Sequence, residues 1–165
     1  MMDTLITALL WLGAIGCGLL AGVFFAFSVF VMTALGSIVP AYGIAAMNAI
    51  NRVILRSLFM PVFWLTTLTS LMLAGVGIVH SSEPGALAML IGGAAHFLGM
   101  FVCTVALNVP LNNALAAVDP AGEAALPVWQ RYLRDWTRWN HVRTVACTPA
   151  SAMFVLAMVE RAAPV

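Results

Sequence analysis

The sequence has no lysine and very little charge of either sign. Charged residues make up 8% of its 165 positions, whereas hydrophobic residues make up 63% and the mean hydropathy is +1.04. No charged residue occurs between Thr4 and Asn51. A soluble domain carries roughly a quarter charged residues, so this composition predicts a membrane protein. It also excludes a basic, aromatic-lined groove for nucleic acid.

The sequence also lacks a Cys-x-x-Cys pair and a basic leader. The three cysteines, Cys17, Cys103 and Cys147, lie in separate apolar runs, which predicts buried thiols rather than a disulfide framework. The N-terminal apolar run has no positive residues before it and is too long for the core of a secretory signal. We therefore expect a retained membrane span there.

The apolar runs predict four membrane spans, because a helix needs about 20 apolar residues to cross the hydrocarbon layer. They lie at about residues 5–32, 57–79, 85–107 and 139–159. Two amphipathic stretches, at about residues 44–56 and 128–138, predict interfacial helices. The predicted fold is all-α, a single domain over residues 1–165. It is an integral membrane four-helix bundle with an amphipathic interfacial helix before the last span.

Two patterns concern orientation and assembly. One side of the membrane carries Asp3, Glu83, Glu160 and Arg161; the other carries six arginines: Arg52, Arg56, Arg131, Arg134, Arg138 and Arg143. The positive-inside rule then predicts a bacterial inner-membrane protein with both termini outside the cytoplasm.

Small residues repeat every four positions in the first span and are a candidate surface for a homo-oligomer. They are Ala14, Gly18, Gly22 and Ala26.

Polar residues from three parts of the chain are expected to meet at the cytoplasmic mouth of the bundle. The segment of residues 129–144, WQRYLRDWTRWNHVRT, places its aromatic residues on one helical face and most of its arginines on the other. The candidate substrate-binding residues at this mouth are Asn51, Asn108, Asn112, Trp136, Trp139 and Asn140. An alternative interpretation is an interfacial anchor, in which tryptophan and arginine side chains lie at headgroup level.

Two histidines are candidate catalytic groups. His96 lies deep in the third apolar run, and an ionisable group at that depth is a functional candidate. With Met100 and Cys103 it forms a stripe whose ligand types suit copper or haem, and His141 is a further possible ligand. A hydrogen-bonded, neutral imidazole is the favoured interpretation of His96, so no metal site is predicted.

Four segments resemble the anthrone oxygenase-like family of small membrane proteins. They are Phe30-Val31-Met32, Met47-x-x-Ile50-Asn51, Asn108-Val109-Pro110-Leu111-Asn112 and Trp136-x-x-Trp139-Asn140-x-x-Arg143-Thr144. Fungal members are associated with oxidation of anthrones to anthraquinones by molecular oxygen, whereas bacterial members were long of unknown function. The resemblance implies a membrane monooxygenase that acts on a lipophilic small molecule with molecular oxygen. An anthrolate can pass an electron to oxygen without a cofactor, so the chemistry does not itself call for one beyond molecular oxygen.

Such chemistry needs a base, a cation near the developing oxyanion and a flat apolar slot. His96 or His141 is the expected base, and Arg143 the expected cation. Because His141 and Arg143 are two residues apart they do not share a helical face, so His96 or Asn140 is favoured as Arg143's companion. The alternative function is a non-enzymatic bundle that binds a membrane lipid or a partner membrane protein. A transporter is disfavoured, because no acidic residue lies inside a span.

Overall fold

The computed structural model describes residues 2–163, and they form five helices. The helices are α1 (Met2–Gly36), α2 (Pro40–Ile54), α3 (Phe59–Val79), α4 (Ala86–Ala116) and α5 (Ala125–Ala162). All except α2 are long and apolar enough to cross a membrane, and residues 2–163 contain no strand. The predicted all-α integral membrane bundle with four spans is therefore confirmed.

The stretches predicted as an interfacial helix (128–138) and a last span (139–159) form one continuous helix, α5, of 38 residues. Its buried positions recur every three or four residues from one end to the other, so a single face stays in contact with the bundle. They are Ala125, Trp129, Tyr132, Trp136, Asn140, Arg143, Cys147, Ala150, Phe154 and Ala157. The amphipathic segment is thus the first part of a spanning helix.

One end of the bundle is held by an exposed network of charged side chains. Arg161 of α5 donates to Asp3 of α1 at 2.7 Å and to Glu83 in the α3–α4 loop at 3.2 Å. His80 lies 2.8 Å from the same Glu83. The four spans therefore share a common level at this end, which is the end that carries few arginines.

At the opposite end α3 is too short to continue beside its neighbours. It has 21 residues, whereas α1, α4 and α5 have between 31 and 38, so they extend past it by roughly 15 Å or more. Helix α2 packs there instead. A second apolar core results, formed by Met32, Ile44, Met47, Leu115, Ala125, Trp129, Tyr132 and Trp136.

Close packing of α1 depends on glycines other than those of the small-residue stripe. A Cβ at Gly16 would overlap the side chain of Thr66, and one at Gly13 would lie 2.9 Å from the ring of Phe154. In the stripe, Ala14 is buried, whereas Gly18 and Gly22 are exposed. The homo-oligomer predicted from this stripe stays a prediction.

Three wide, π-helical turns interrupt α1 and α4 near the arginine-rich end. They are Phe27–Val31 in α1, and Phe97–Val102 and Thr104–Asn108 in α4. The last one comes immediately before Pro110, which has no N–H to donate, and α4 continues through that proline to Ala116. The helix therefore does not end near residue 107 as predicted. Such turns are frequent at functional sites.

Candidate functional site

A cavity of about 250 Å³ lies where α3 begins, beside the second apolar core, which contributes Met47 and Trp136 to its walls. All five helices contribute to its walls, for example through Phe24 of α1, Asn51 of α2, Phe63 of α3, Phe101 of α4 and Trp136 of α5. The space exists because the short helix α3 leaves a gap that α2 fills only in part. Most of the lining is apolar and aromatic, as is usual for small-molecule sites.

The guanidinium of Arg143 is the charged group of this cavity. The residue is 5% exposed and lies between two aromatic rings, 4.4 Å from the centroid of Phe24 and 5.0 Å from that of Trp136. Arg143 also donates to Asn140 Oδ1 at 2.7 Å and to Thr104 Oγ1 at 3.5 Å. The ring faces stabilise the cation, and the hydrogen bonds fix its direction.

Arg143 makes no ion pair with any residue between positions 2 and 163. Its Nε also has no hydrogen-bond partner in this part of the chain, although it is buried. Buried charges in proteins are normally paired. A cation that lines an apolar cavity without a counter-ion is therefore suited to an anionic or strongly polarised oxygen of a ligand.

Two further buried donors on the cavity wall are unpaired within the described residues. They are Asn51 Nδ2 and Trp136 Nε1. A third polar wall residue, Asn112, accepts a hydrogen bond of 2.8 Å from the hydroxyl of Tyr132. With Arg143 Nε, the residues of the wall contain three buried N–H donors that have no acceptor in the described part of the chain.

Asn140 holds Arg143 in place and does not line the cavity. Its Nδ2 donates to the backbone oxygen of Phe24 at 2.6 Å and to Ser28 Oγ at 2.7 Å, and its Oδ1 accepts from Arg143. The side chain is completely buried. Of the two companions expected for Arg143, Asn140 contacts it and His96 does not. The contact of Asn140 with substrate stays a prediction.

Two other predicted substrate-binding residues also lie outside the cavity lining. Asn108 is buried and donates to the backbone oxygen of Trp136 at 3.2 Å, which ties α4 to α5. Trp139 is half-buried, with the guanidinium of Arg138 5.5 Å from its ring. The predicted set is thus divided: Asn51, Asn112 and Trp136 line the cavity with Arg143, and Asn108, Trp139 and Asn140 do not.

The anchor interpretation fits the two faces of α5 differently. Trp129, Tyr132 and Trp136 are at most 5% exposed and belong to the second core, so they pack against protein. Trp139 and Arg138, which lie outside that core, have the position expected of a headgroup-level anchor.

The structure brings neither predicted catalytic histidine to the cavity. His96 is fully buried elsewhere in the bundle, with its Nδ1 3.2 Å from Cys17 Sγ and 3.9 Å from Cys147 Sγ. His141 is exposed on the far side of α5 from Arg143. Their catalytic roles stay predictions. In residues 2–163 no group of three or more His, Cys, Asp or Glu side chains is arranged to hold a metal ion.

Sequence reasoning did not find the aromatic walls of the site. Phe24, Phe63 and Phe101 contribute the ring surfaces, and Thr104 contributes a hydroxyl to Arg143. In an apolar span these side chains resemble lipid-facing ones, so the sequence carries no signal that separates the two classes.

Comparison with known proteins gives one match. A family model described as anthrone oxygenase matches residues 47–153, which is more than half of the chain. Asn51, Asn112, Trp136 and Arg143 all lie inside the matched range. No curated protein and no solved structure matches the chain.

Proposed function

Because this chain belongs to the anthrone oxygenase family, we propose that it binds a flat, lipophilic aromatic ketone or phenol in the cavity and promotes its oxidation by molecular oxygen. The observation that carries the proposal is Arg143, a buried cation without an ion pair in the described residues, on the wall of an otherwise apolar cavity. An oxyanion of the ligand supplies the missing counter-charge.

The size and lining of the cavity support a polycyclic ligand. An apolar cavity of about 150 Å³ is large enough for benzene, so a volume of about 250 Å³ accommodates more than one ring. Phe24, Phe63 and Phe101 offer ring faces and edges for aromatic contacts. The buried N–H donors of Asn51, Trp136 and Arg143, which have no acceptor in the described residues, favour a ligand that carries acceptor oxygens.

The proposed chemistry depends on stabilising an anion. An anthrone has an acidic methylene carbon, and transfer of a proton from that carbon to water gives an anthrolate whose negative charge lies mainly on oxygen. In a cavity of low dielectric, Arg143 lowers the free energy of this anion far more than it would in water. The methylene carbon then exchanges two hydrogens for one oxygen atom of O₂, and the second oxygen atom leaves as water. The electrons come from the substrate.

The test is oxygen uptake with anthrone by protein in lipid vesicles. Arg143→Met keeps a similar side-chain volume but removes the cation, so turnover should fall by about 10²-fold or more. The thermal unfolding midpoint should be unchanged or higher, because an unpaired buried charge is replaced by an apolar side chain. Arg138→Met, which removes an exposed arginine from the same helix, is the control and should retain activity. Normal turnover in Arg143→Met would refute the proposal.

A second candidate function is ligand binding without turnover. It is favoured by the cavity lining, which in the described residues contains no histidine and no carboxylate to accept a proton. Such a protein would carry a lipophilic anion or a membrane lipid. It predicts saturable quenching of tryptophan fluorescence by anthraquinone together with no oxygen uptake above the uncatalysed rate.

The arginine bias supports an orientation. Arg52, Arg56, Arg131, Arg134 and Arg138 are all exposed at the end where α3 begins, so this end lies in the cytoplasm of a bacterial inner membrane and both termini lie outside. A periplasm-dependent phosphatase fused to the C-terminus should then be active; an inactive but expressed fusion would reverse the orientation.

A further inference from the structure

We infer that the ligand reaches the cavity sideways from the hydrocarbon layer of the membrane, through an opening at the start of α3. We call this opening the lateral mouth; Leu55, Trp64 and Val105 form it. The inference rests on the proposed ligand class but concerns the route, which chemistry at Arg143 does not determine.

The exposed part of the cavity lining is entirely apolar. Leu55, Trp64 and Val105 line the cavity and are also 65%, 49% and 53% exposed. Val23 and Val109 are the other exposed lining residues, at 38% and 39%. The polar wall residues are less exposed than these five: Asn51, Thr104 and Asn112 are half-buried, and Arg143 is buried. Four of these five residues lie on spanning helices, the exception being Leu55, and an exposed apolar side chain on a spanning helix faces lipid.

The depth of the lateral mouth also places it in the membrane. Trp64 lies five residues into α3, about 7.5 Å along the helix axis. Arg52 and Arg56 are exposed just before that helix begins, where their guanidinium groups are suited to headgroup phosphates. The mouth therefore extends from headgroup level at Leu55, next to Arg56, to the boundary of the hydrocarbon layer, where an indole ring such as that of Trp64 is favoured.

The ligand chemistry matches that position. A flat aromatic ketone gains about 25 cal/mol for each Å² of apolar surface that it removes from water, so it concentrates in the bilayer. Its rings then lie among acyl chains and its oxygens point toward the headgroups. Passage through the lateral mouth leads the rings past Trp64 and Phe101, whose ring centroids are 5.6 Å apart, toward the donors inside.

The experiment measures the rate of anthraquinone binding to protein in phosphatidylcholine vesicles, by stopped-flow quenching of tryptophan fluorescence. Val105→Phe enlarges a side chain of the lateral mouth. Because a narrower passage hinders movement in both directions, association and dissociation rates should fall together, each by about ten-fold.

The matched control is Val102→Phe on the same helix. Val102 is exposed to the same lipid but does not line the cavity, so this variant should keep the original rates. Leu55→Phe narrows the mouth from another side and should slow association and dissociation in the same way. A folding defect in one variant would then not explain the slower rates.

The outcomes separate the route from the function. Binding with unchanged rates in both Val105→Phe and Leu55→Phe would overturn the lateral route and leave the ligand class intact. Slowed binding without any oxygen uptake would support the route and refute the oxidation. Absence of anthraquinone binding to the unaltered protein would overturn the ligand class and the route together.

Discussion

At the scale of single residues, the site depends on how one buried cation is held. Arg143 has aromatic rings on two sides and one strong hydrogen bond, from its Nη2 to Asn140. Hydrogen bonds to charged groups contribute about 1.5–3 kcal/mol, less than a buried, unpaired ion costs. These contacts therefore fix the direction of the guanidinium without compensating for its charge, which stays available to an incoming anion.

The charge of this group can be opposed by a single substitution at Asn140, the residue that accepts its strongest hydrogen bond. Asn140→Asp places a carboxylate oxygen where Oδ1 now lies, 2.7 Å from Arg143 Nη2. An internal counter-ion should weaken binding of alizarin in its phenolate form by about ten-fold or more, while neutral anthraquinone keeps its affinity. Fluorescence titration of both ligands measures the difference.

The control for Asn140→Asp adds the same charge away from the site. Asn113 is exposed on α4 at the same end of the bundle, so Asn113→Asp should leave both affinities unchanged. An equal loss for the phenolate and the neutral quinone in Asn140→Asp would mean that the substitution damaged the site through the lost contacts to Phe24 and Ser28, and that charge is not the cause.

At the scale of elements, α1 is the helix whose packing and irregularity serve the site. Its wide turn at Phe27–Val31 begins three residues after Phe24, whose carbonyl oxygen accepts from Asn140 and whose ring covers Arg143. Nearer its N-terminus, glycine allows α1 to approach α3 closely. The N-terminal part of α1 therefore sets its packing against α3, and the part around Phe24 positions the guanidinium of Arg143.

A substitution at Gly16 tests the close approach of α1 to α3. In Gly16→Ala the new methyl group would overlap Thr66 Oγ1 and also lie 3.0 Å from its Cβ and Cγ2, so rotation of the threonine does not relieve it. Overpacking of this kind costs about 1–3 kcal/mol, and the unfolding midpoint in detergent should fall accordingly.

Gly22 offers a matched comparison on the same helix. No atom lies within 4 Å of a Cβ built there, and alanine is the better helix former. Gly22→Ala should therefore retain or slightly raise the midpoint. If both variants behaved alike, close contact between α1 and α3 would not be a source of stability.

At the scale of the whole molecule, unequal helix lengths make the two ends of the bundle structurally different. The end with Asp3, Glu83 and Arg161 fixes the common level of the spans. The other end, where α3 begins and the longer helices extend past it, contains the cavity and most of the arginines. A hollow for a ligand is therefore a consequence of how long each span is.

The network of Asp3, Glu83 and Arg161 predicts a dependence of stability on pH. The hydrogen bond from His80, and then the contacts with Arg161, hold the pKa of Glu83 below its usual value of 4.5. A group whose pKa is lowered by folding stabilises the folded state at higher pH and loses that contribution as pH falls through its lowered value. The thermal midpoint should therefore decrease modestly as pH falls below about 4.5.

Glu83→Gln should make that part of the pH profile flatter. The effect is small, because exposed ion pairs contribute little. Glu160→Gln is the control, since Glu160 is exposed near the same end and forms no ion pair within the described residues. A profile that is equally steep in Glu83→Gln would assign the acid sensitivity to another group.

The sequence alone determined the four spans, the arginine-rich end and the segment that contains the site. These features depend on the length and hydropathy of local stretches, which determine whether a segment can cross the bilayer. The asparagine and tryptophan positions on α5 also followed from the helical repeat, because a face that is buried over many turns must keep that period.

The tertiary structure decided which of these residues meet. Trp136 and Trp139 are three residues apart, but Trp136 lines the cavity and Trp139 lies outside it; His96 faces Cys17 instead of Arg143. Rotation of each helix about its axis settles such contacts, and apolar residues all around a span leave no polar face in the sequence to indicate that rotation. The gap beside α3 depends likewise on the relative lengths of packed helices, which no single segment encodes.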